Sequence, residues 1–304
     1  MDSTVIEANI HYPTDAALLS AQRLQSLVKE APVTIRNCAR SVKKKILAMG
    51  KVLRRRTGDA VAEVRRITED VARMGAAQSR AVVEASKHDI SIHDAAGARR
   101  VARVEQALQD VQTVIRQSRS ATAGERITDR LVTVADPDAR PIKKGKLGRP
   151  VQFGYTVQIV EAEAGFVTDY TVHRGNPNDV EALIPALDRH CTQFGRDPVI
   201  VATDRGYWSA ANDQACRARR IRMVAIPKRG KKAAKRRTEE RRPAFRRGQR
   251  GRAGGEATIS RIKRQYGLRR SRYRGYDAVA MGIGLGIFTH NVRRWAQRQA
   301  SSGC

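Results

Sequence analysis

The chain changes its hydrophobic rhythm twice. At its start, Thr4, Val5, Ile6 and Ile10 favour a strand, with Asp2 at or near its beginning. His11-Tyr-Pro-Thr-Asp15 then reads as a turn, with Thr14 or Asp15 capping the next helix. From residue 16 to about 125 the period is helical. Val61, Val64, Ile67, Val71 and Met74 form one stripe, and Val101, Val104, Leu108, Val111 and Ile115 form another. Such stripes are read as packing between helices. Basic clusters (Lys43 to Lys45, Arg54 to Arg56) occupy the other faces, as solvated surface or as contacts to a polyanion.

From residue 131 the period shortens. A brief apolar run, 131–135, ends in Asp136-Pro-Asp138, and a basic glycine-containing loop is expected over 143–149. Residues 155–162 and 166–172 are β-rich and separated by Glu163-Ala-Gly165, the pattern of a hairpin. Gly175-Asn-Pro-Asn-Asp179 caps a helix running to about Phe194, interrupted by Pro185. Residues 199–203 form a buried-type strand ending in Asp204-Arg-Gly-Tyr207, a place where α/β folds put chemistry. A helix over 209–219 and a strand over 223–226 come next. Residues 228–252 hold thirteen Lys or Arg and two Glu, and are expected to be a loop or linker. A helix is expected from Glu256, its start marked by Gly254 and Gly255. A short buried helix over 279–288 and the segment His290 to Trp295 close the fold.

Composition narrows the function. A net charge of +29 favours a nucleic-acid partner through counterion release. No apolar run reaches 18 residues, so no transmembrane helix is expected, and no secretory signal is visible. Cys38, Cys191, Cys216 and Cys304 make no CxxC pair, which argues against a zinc site or a disulfide framework and fits a reducing cytoplasm. Within the basic C-terminal region, Glu256 is the sole acid between Glu240 and Asp277. It shares a helix face with Lys263, seven residues on. Two readings stay open from these residues alone: a solvated basic helix whose N-terminal Glu suits the helix dipole, or a carboxylate and a lysine poised over a nucleic-acid backbone. Asp2, Asp204 and Glu256 all stand at element ends. Carboxylates from distant points are what two divalent metals need for phosphoryl transfer on DNA.

Three pieces of sequence carry a resemblance. They are Asp2-Ser-Thr-Val-Ile-Glu with His11-Tyr-Pro-Thr-Asp15; Val201-Ala-Thr-Asp204-Arg-Gly-Tyr207; and Arg252-(3)-Glu256-(6)-Lys263 with Tyr266-Gly-Leu-Arg-Arg, Arg274-Gly and Ile287-Phe-Thr-His-Asn291. In this order they resemble a DDE-type transposase of bacterial insertion sequences. The resemblance implies an α/β fold: an RNase H-like mixed sheet with flanking helices, plus a large helical insertion after the first strand. It implies catalytic, metal-binding acids Asp2, Asp204 and Glu256, with Asp136 or Asp138 as alternative first acid, and two Mg²⁺ ions for which Mn²⁺ can substitute. Arg252, Lys263, Arg264, Arg269 and Arg270 would hold DNA. The expected layout is 1–15 first strand, 16–128 insertion, 129–227 core, 228–252 basic linker and 253–304 C-terminal helices with the third acid. The partners implied are transposon ends, target DNA and further copies of the chain, in the nucleoid-associated bacterial cytoplasm. Two departures stand out. Gln249 occupies the position, three residues before Arg252, where the family usually has Tyr. The N-terminal helical region that usually precedes the first strand has no counterpart, so a truncated frame is expected, with a DNA-binding but inactive remnant as the alternative function.

Overall fold

The computed structural model describes residues 1–8, isolated positions between 63 and 84, and residues 95–302 apart from 134, 147, 148 and 163. The chain divides into two units, Met1–Asn9 with Ala139–Cys304, and Ile10–Asp138. In the second unit, helix α1 (Ala95–Thr122) agrees with the helical period, and Leu108 and Ile115 of the expected stripe are half-buried. Of the earlier stripe only Ile67 is described, and it is helical. Thr14, Asp15 and the basic clusters at 43–45 and 54–56 lie outside the described residues. Residues 131–133 form no strand.

The first unit is mixed α/β. Strands β1 (Asp2–Glu7), β2 (Arg140–Lys146), β3 (Arg149–Glu161) and β4 (Val167–Arg174) make an antiparallel sheet. β3 is its spine: it pairs with β2 through its first half and with β1 and β4 through its second. β2 replaces much of the loop expected over 143–149. Its lysines give no alternating apolar signal, and its strand character comes from pairing with β3. The β3–β4 hairpin turns as the sequence suggests, with Gly165 in the left-handed region at φ 80°.

Alternation along the strands assigns the two faces. Ile6 lies opposite Tyr155, Thr4 opposite Val157, and Asp2 opposite Ile159. Ile6, Tyr155, Val157 and Ile159 join Val172 in a core capped by helix α5 (Pro243–Gln265, through Ile262) and helix α6 (Tyr276–Ser302, through Val279, Ile283 and Ile287). Asp2 therefore starts on the face that α5 covers. On the other face Arg189 of helix α2 (Asp179–Phe194) donates to Asp169 and Thr171 of β4.

A second, parallel pair consists of β5 (Ile200–Ala202) and β6 (Met223–Ala225), with helix α3 (Ala210–Ala218) between them. Val201, Val224, Tyr207 and Cys216 pack with Leu183 and Leu187 of α2. Helix α5 comes very close to this pair. A Cβ on Gly248 would lie 2.8 Å from that of Ala225, closer than real Cβ atoms approach. The ammonium of Met1 donates to the carbonyl of Ala202 (2.9 Å), joining the start of β1 to the end of β5.

The basic tract 228–252 is not a loop. It holds helix α4 (Ala234–Arg241) and the first ten residues of α5, which starts on Pro243, the favoured first helical position. Arg236 ties it down: the guanidinium reaches Asp213, Glu239 and Glu240, and also lies over the Phe245 ring. Gly254 and Gly255 consequently sit inside α5 rather than ahead of it.

Candidate active site

Each acid is placed by its own element. Asp2 opens β1, where its Oδ1 accepts from the Ser3 amide (2.8 Å). Asp204 comes just after β5 and caps the short 3-10 turn Arg205–Tyr207 by accepting from the Gly206 amide. Glu256 lies midway along α5 with its side chain 62% exposed. Arg252, one turn earlier, ties two of them together: Nη1 meets Asp2 Oδ2 at 3.0 Å and Nη2 meets Glu256 Oε1 at 3.1 Å. One guanidinium thus joins residues 2 and 256.

Asp204 enters through its field. The Asp2 carboxyl is held above its ordinary value chiefly by burial and further by the nearby Asp204 charge, against the lowering effects of the Ser3 amide and Arg252. Beneath them the Tyr207 hydroxyl is fully buried, and burial together with Asp179, Asp204 and Asp2 drives its pKa strongly upward, so it stays protonated.

Asp179, read from sequence as a helix cap, is also here. Asn178 provides the cap of α2. The Asp179 carboxylate instead turns towards Gly206: a Cβ at that glycine would lie 2.6 Å from Asp204 Oδ1 and 2.9 Å from Asp179 Oδ2, with Arg229 Nη2 at 3.4 Å. Gly206 is the gap between the two carboxylates. An Asp beginning a helix has no sequence signal that separates these roles.

Gln249 is the second residue whose role sequence reasoning missed. Its Nε2 donates to the carbonyl of Thr203 (3.0 Å) and to that of Ala225. A carboxamide has two N–H groups for this task, and a phenol has one. The departure from Tyr therefore has a structural use: α5 grips the carboxyl ends of β5 and β6 one residue before Asp204.

The expected DNA-binding residues separate into two places. Arg252, Lys263 and Arg264 lie on α5, Lys263 about 10 Å along the helix from Glu256. Arg269 and Arg270 lie beyond it and line up with the other end of β1: the Glu7 amide donates to the Arg269 carbonyl, and Arg270 donates to that of Ala8. That end is about 17 Å from Asp2 by strand rise. Asp136 and Asp138 belong to the other unit, where Asp136 is buried.

Among the described residues, no three Asp, Glu, His or Cys side chains are already gathered as a metal-binding group. The donor chemistry nevertheless fits a hard divalent cation. All candidate ligands are carboxylate oxygens, and a cation beside Asp2 and Asp204 would relieve the like-charge repulsion that helps raise the Asp2 pKa.

A mixed α/β unit in which a basic helix bridges two acids through one guanidinium is a scaffold suited to nucleic-acid chemistry, and the comparison with known families makes the class definite. The transposase DDE domain matches residues 129–292, more than half of the chain, and the chain belongs to that family. The matched stretch contains Asp204, Arg252, Glu256 and Lys263, while Asp2 precedes it. No curated protein and no solved structure matches the chain.

Proposed function

We propose that this protein is a transposase with an RNase H-like catalytic core, which cuts DNA at insertion-sequence ends and joins the freed 3′-hydroxyl to target DNA. Asp2, Asp204 and Glu256 are the acids of that reaction and would hold two Mg²⁺ ions, or Mn²⁺ in their place. The observation that carries this reading is the meeting, around Arg252, of residues 2 and 256 with residue 204 close enough to act on Asp2. The division of the chain at residues 10 and 138 supports the segment after the first strand as an insertion into this core.

When bound, the ions would activate the attacking oxygen and steady the leaving one. The chain's own residues position the DNA. Arg252 neutralises Asp2 and Glu256 until a backbone phosphate, a strong acceptor for a guanidinium fork, takes its N–H groups. Lys263 meets the strand further along α5. Gln249 fixes the height of α5 over β5, and so the distance of Glu256 from Asp204.

The test uses a duplex carrying the ends that flank the reading frame, with Mg²⁺ or Mn²⁺. Wild type should cut it, while Asp204→Asn and Glu256→Gln should bind it with unchanged salt dependence and leave it whole. Variants that cut as well as wild type would overturn the assignment. A wild type that binds without cutting in either metal would leave a DNA-binding protein alone.

A further inference from the structure

Helix α6 has two apolar faces. Val279, Ile283, Ile287 and His290, with Gly282 and Gly286 among them, are buried against the sheet. On the opposite side Met281, Leu285, Phe288, Val292 and Trp295 are 46–66% exposed. Their spacing of four, three, four and three is the repeat of a two-helix seam. One apolar stripe suffices to dock a helix into its own domain, and a second calls for a second neighbour. Charge says the same. Lys and Arg make up 59 of 304 residues, yet no charged residue stands between Asp277 and Arg293. Arg293 and Arg294 turn aside, to Gln265 and to the Ala164 carbonyl.

We propose that this stripe is the contact between two copies of the chain, packed antiparallel about a two-fold axis beside Phe288. The stripe is self-complementary in that arrangement, as an isologous contact requires. Met281 and Trp295 are each seven residues from Phe288, so Met281 of one copy faces the other's Trp295, and Leu285 faces Val292. The ends match in charge as well. Asp277 and Arg298, both exposed, stand eleven residues before and ten after Phe288, so each Asp277 comes level with the partner copy's Arg298. Parallel packing would set Asp277 on Asp277 and Arg298 on Arg298. The seam from Met281 to Trp295 is about 21 Å long. The inference does not depend on the chemistry at Asp2, Asp204 and Glu256.

The experiment is analytical ultracentrifugation of the full chain without DNA or metal, in high salt so that its basic surface is screened. Wild type should be a dimer at micromolar concentration. Phe288→Glu should raise the dimer Kd on the order of 30-fold or more, with an unchanged circular dichroism spectrum because the side chain is exposed. Orientation is read in a background lacking the four native cysteines. Met281→Cys and Trp295→Cys chains, mixed, should form a disulfide-linked pair, whereas Met281→Cys alone should not. A monomeric wild type, an undisturbed Phe288→Glu dimer, or self-linkage of Met281→Cys would each overturn the proposal. None of those results would bear on DNA cutting, which the acid variants test separately.

Discussion

Helices α5 and α6 cover the same sheet face but differ in what they show outside. Inward they obey one logic, with Ile262 on α5 and Val279, Ile283 and Ile287 on α6 meeting Tyr155, Val157 and Ile159. Outward, α5 presents Glu256 and Arg264, while α6 presents Met281, Leu285 and Phe288. Core packing fixes where a helix sits and leaves its outer face open to other uses. Here one outer face is charged, and the other carries apolar area with no cover from the described residues.

The largest effect that sharpens this contrast is on chemistry. Glu256→Gln on the exposed side of α5 should cut DNA at least ~10³-fold more slowly, equivalent to about 4 kcal/mol of transition-state stabilisation. Its urea midpoint should stay near that of wild type. Loss of fold together with activity would show that Glu256 belongs to the packing. The inward faces should behave alike. Ile262→Ala and Ile283→Ala, at 2% and 1% exposure, should each lower stability by about 2–5 kcal/mol in urea titration. Leu285→Ala, measured where the protein is monomeric, should cost no more than about 0.5 kcal/mol. An equal loss at Leu285 would mean its stripe is covered within one chain.

Smaller effects probe how α5 is held. Gln249→Ala leaves two strand-end carbonyls without their donor and should cost about 1–3 kcal/mol. Cutting should fall through a higher Mg²⁺ requirement, because the acids lose their spacing. An unchanged metal titration would reduce Gln249 to a simple packing residue.

The smallest effect is at Asp2. Its carboxyl pKa is raised above the ordinary value near 3.8, mainly by burial. A raised carboxyl contributes stability that is present below its unfolded pKa and lost as pH rises through the folded one. Asp2→Asn should therefore have a higher Tm than wild type at neutral pH, with the gap closing as pH falls below the ordinary carboxylate value. Calorimetry across that range checks it, and a gap that widens towards acid would show that Arg252 outweighs burial.

Much of this arrangement is legible in the chain. The β3–β4 hairpin, the capped helix ending at Phe194 and the strand running into Asp204 lie where their local patterns put them, because each is defined by short-range chemistry: a glycine turn, an Asn cap, an apolar run. Glu256 and Lys263 are legible as one helix face. β2 is not, since a strand of lysines owes its shape to a partner elsewhere. The helices of 228–252 escape for a related reason. Thirteen cations read as solvated until Asp213, Glu239 and Glu240 are seen to pair with cations of this tract and of α3. Asp179 and Gln249 are hidden because their meaning lies in what they meet, a glycine gap and two carbonyls.

The glycines of α5 bear on what keeps it helical. Gly248, Gly251, Gly254 and Gly255 sit within its 23 residues. Each costs about 1 kcal/mol of helix propensity relative to Ala, roughly 4 kcal/mol in all. Such a segment does not hold a helix alone in water, so α5 relies on tertiary packing such as that of Ile262 against the sheet. Arg252 and Glu256 therefore depend on the finished sheet for their place beside Asp2.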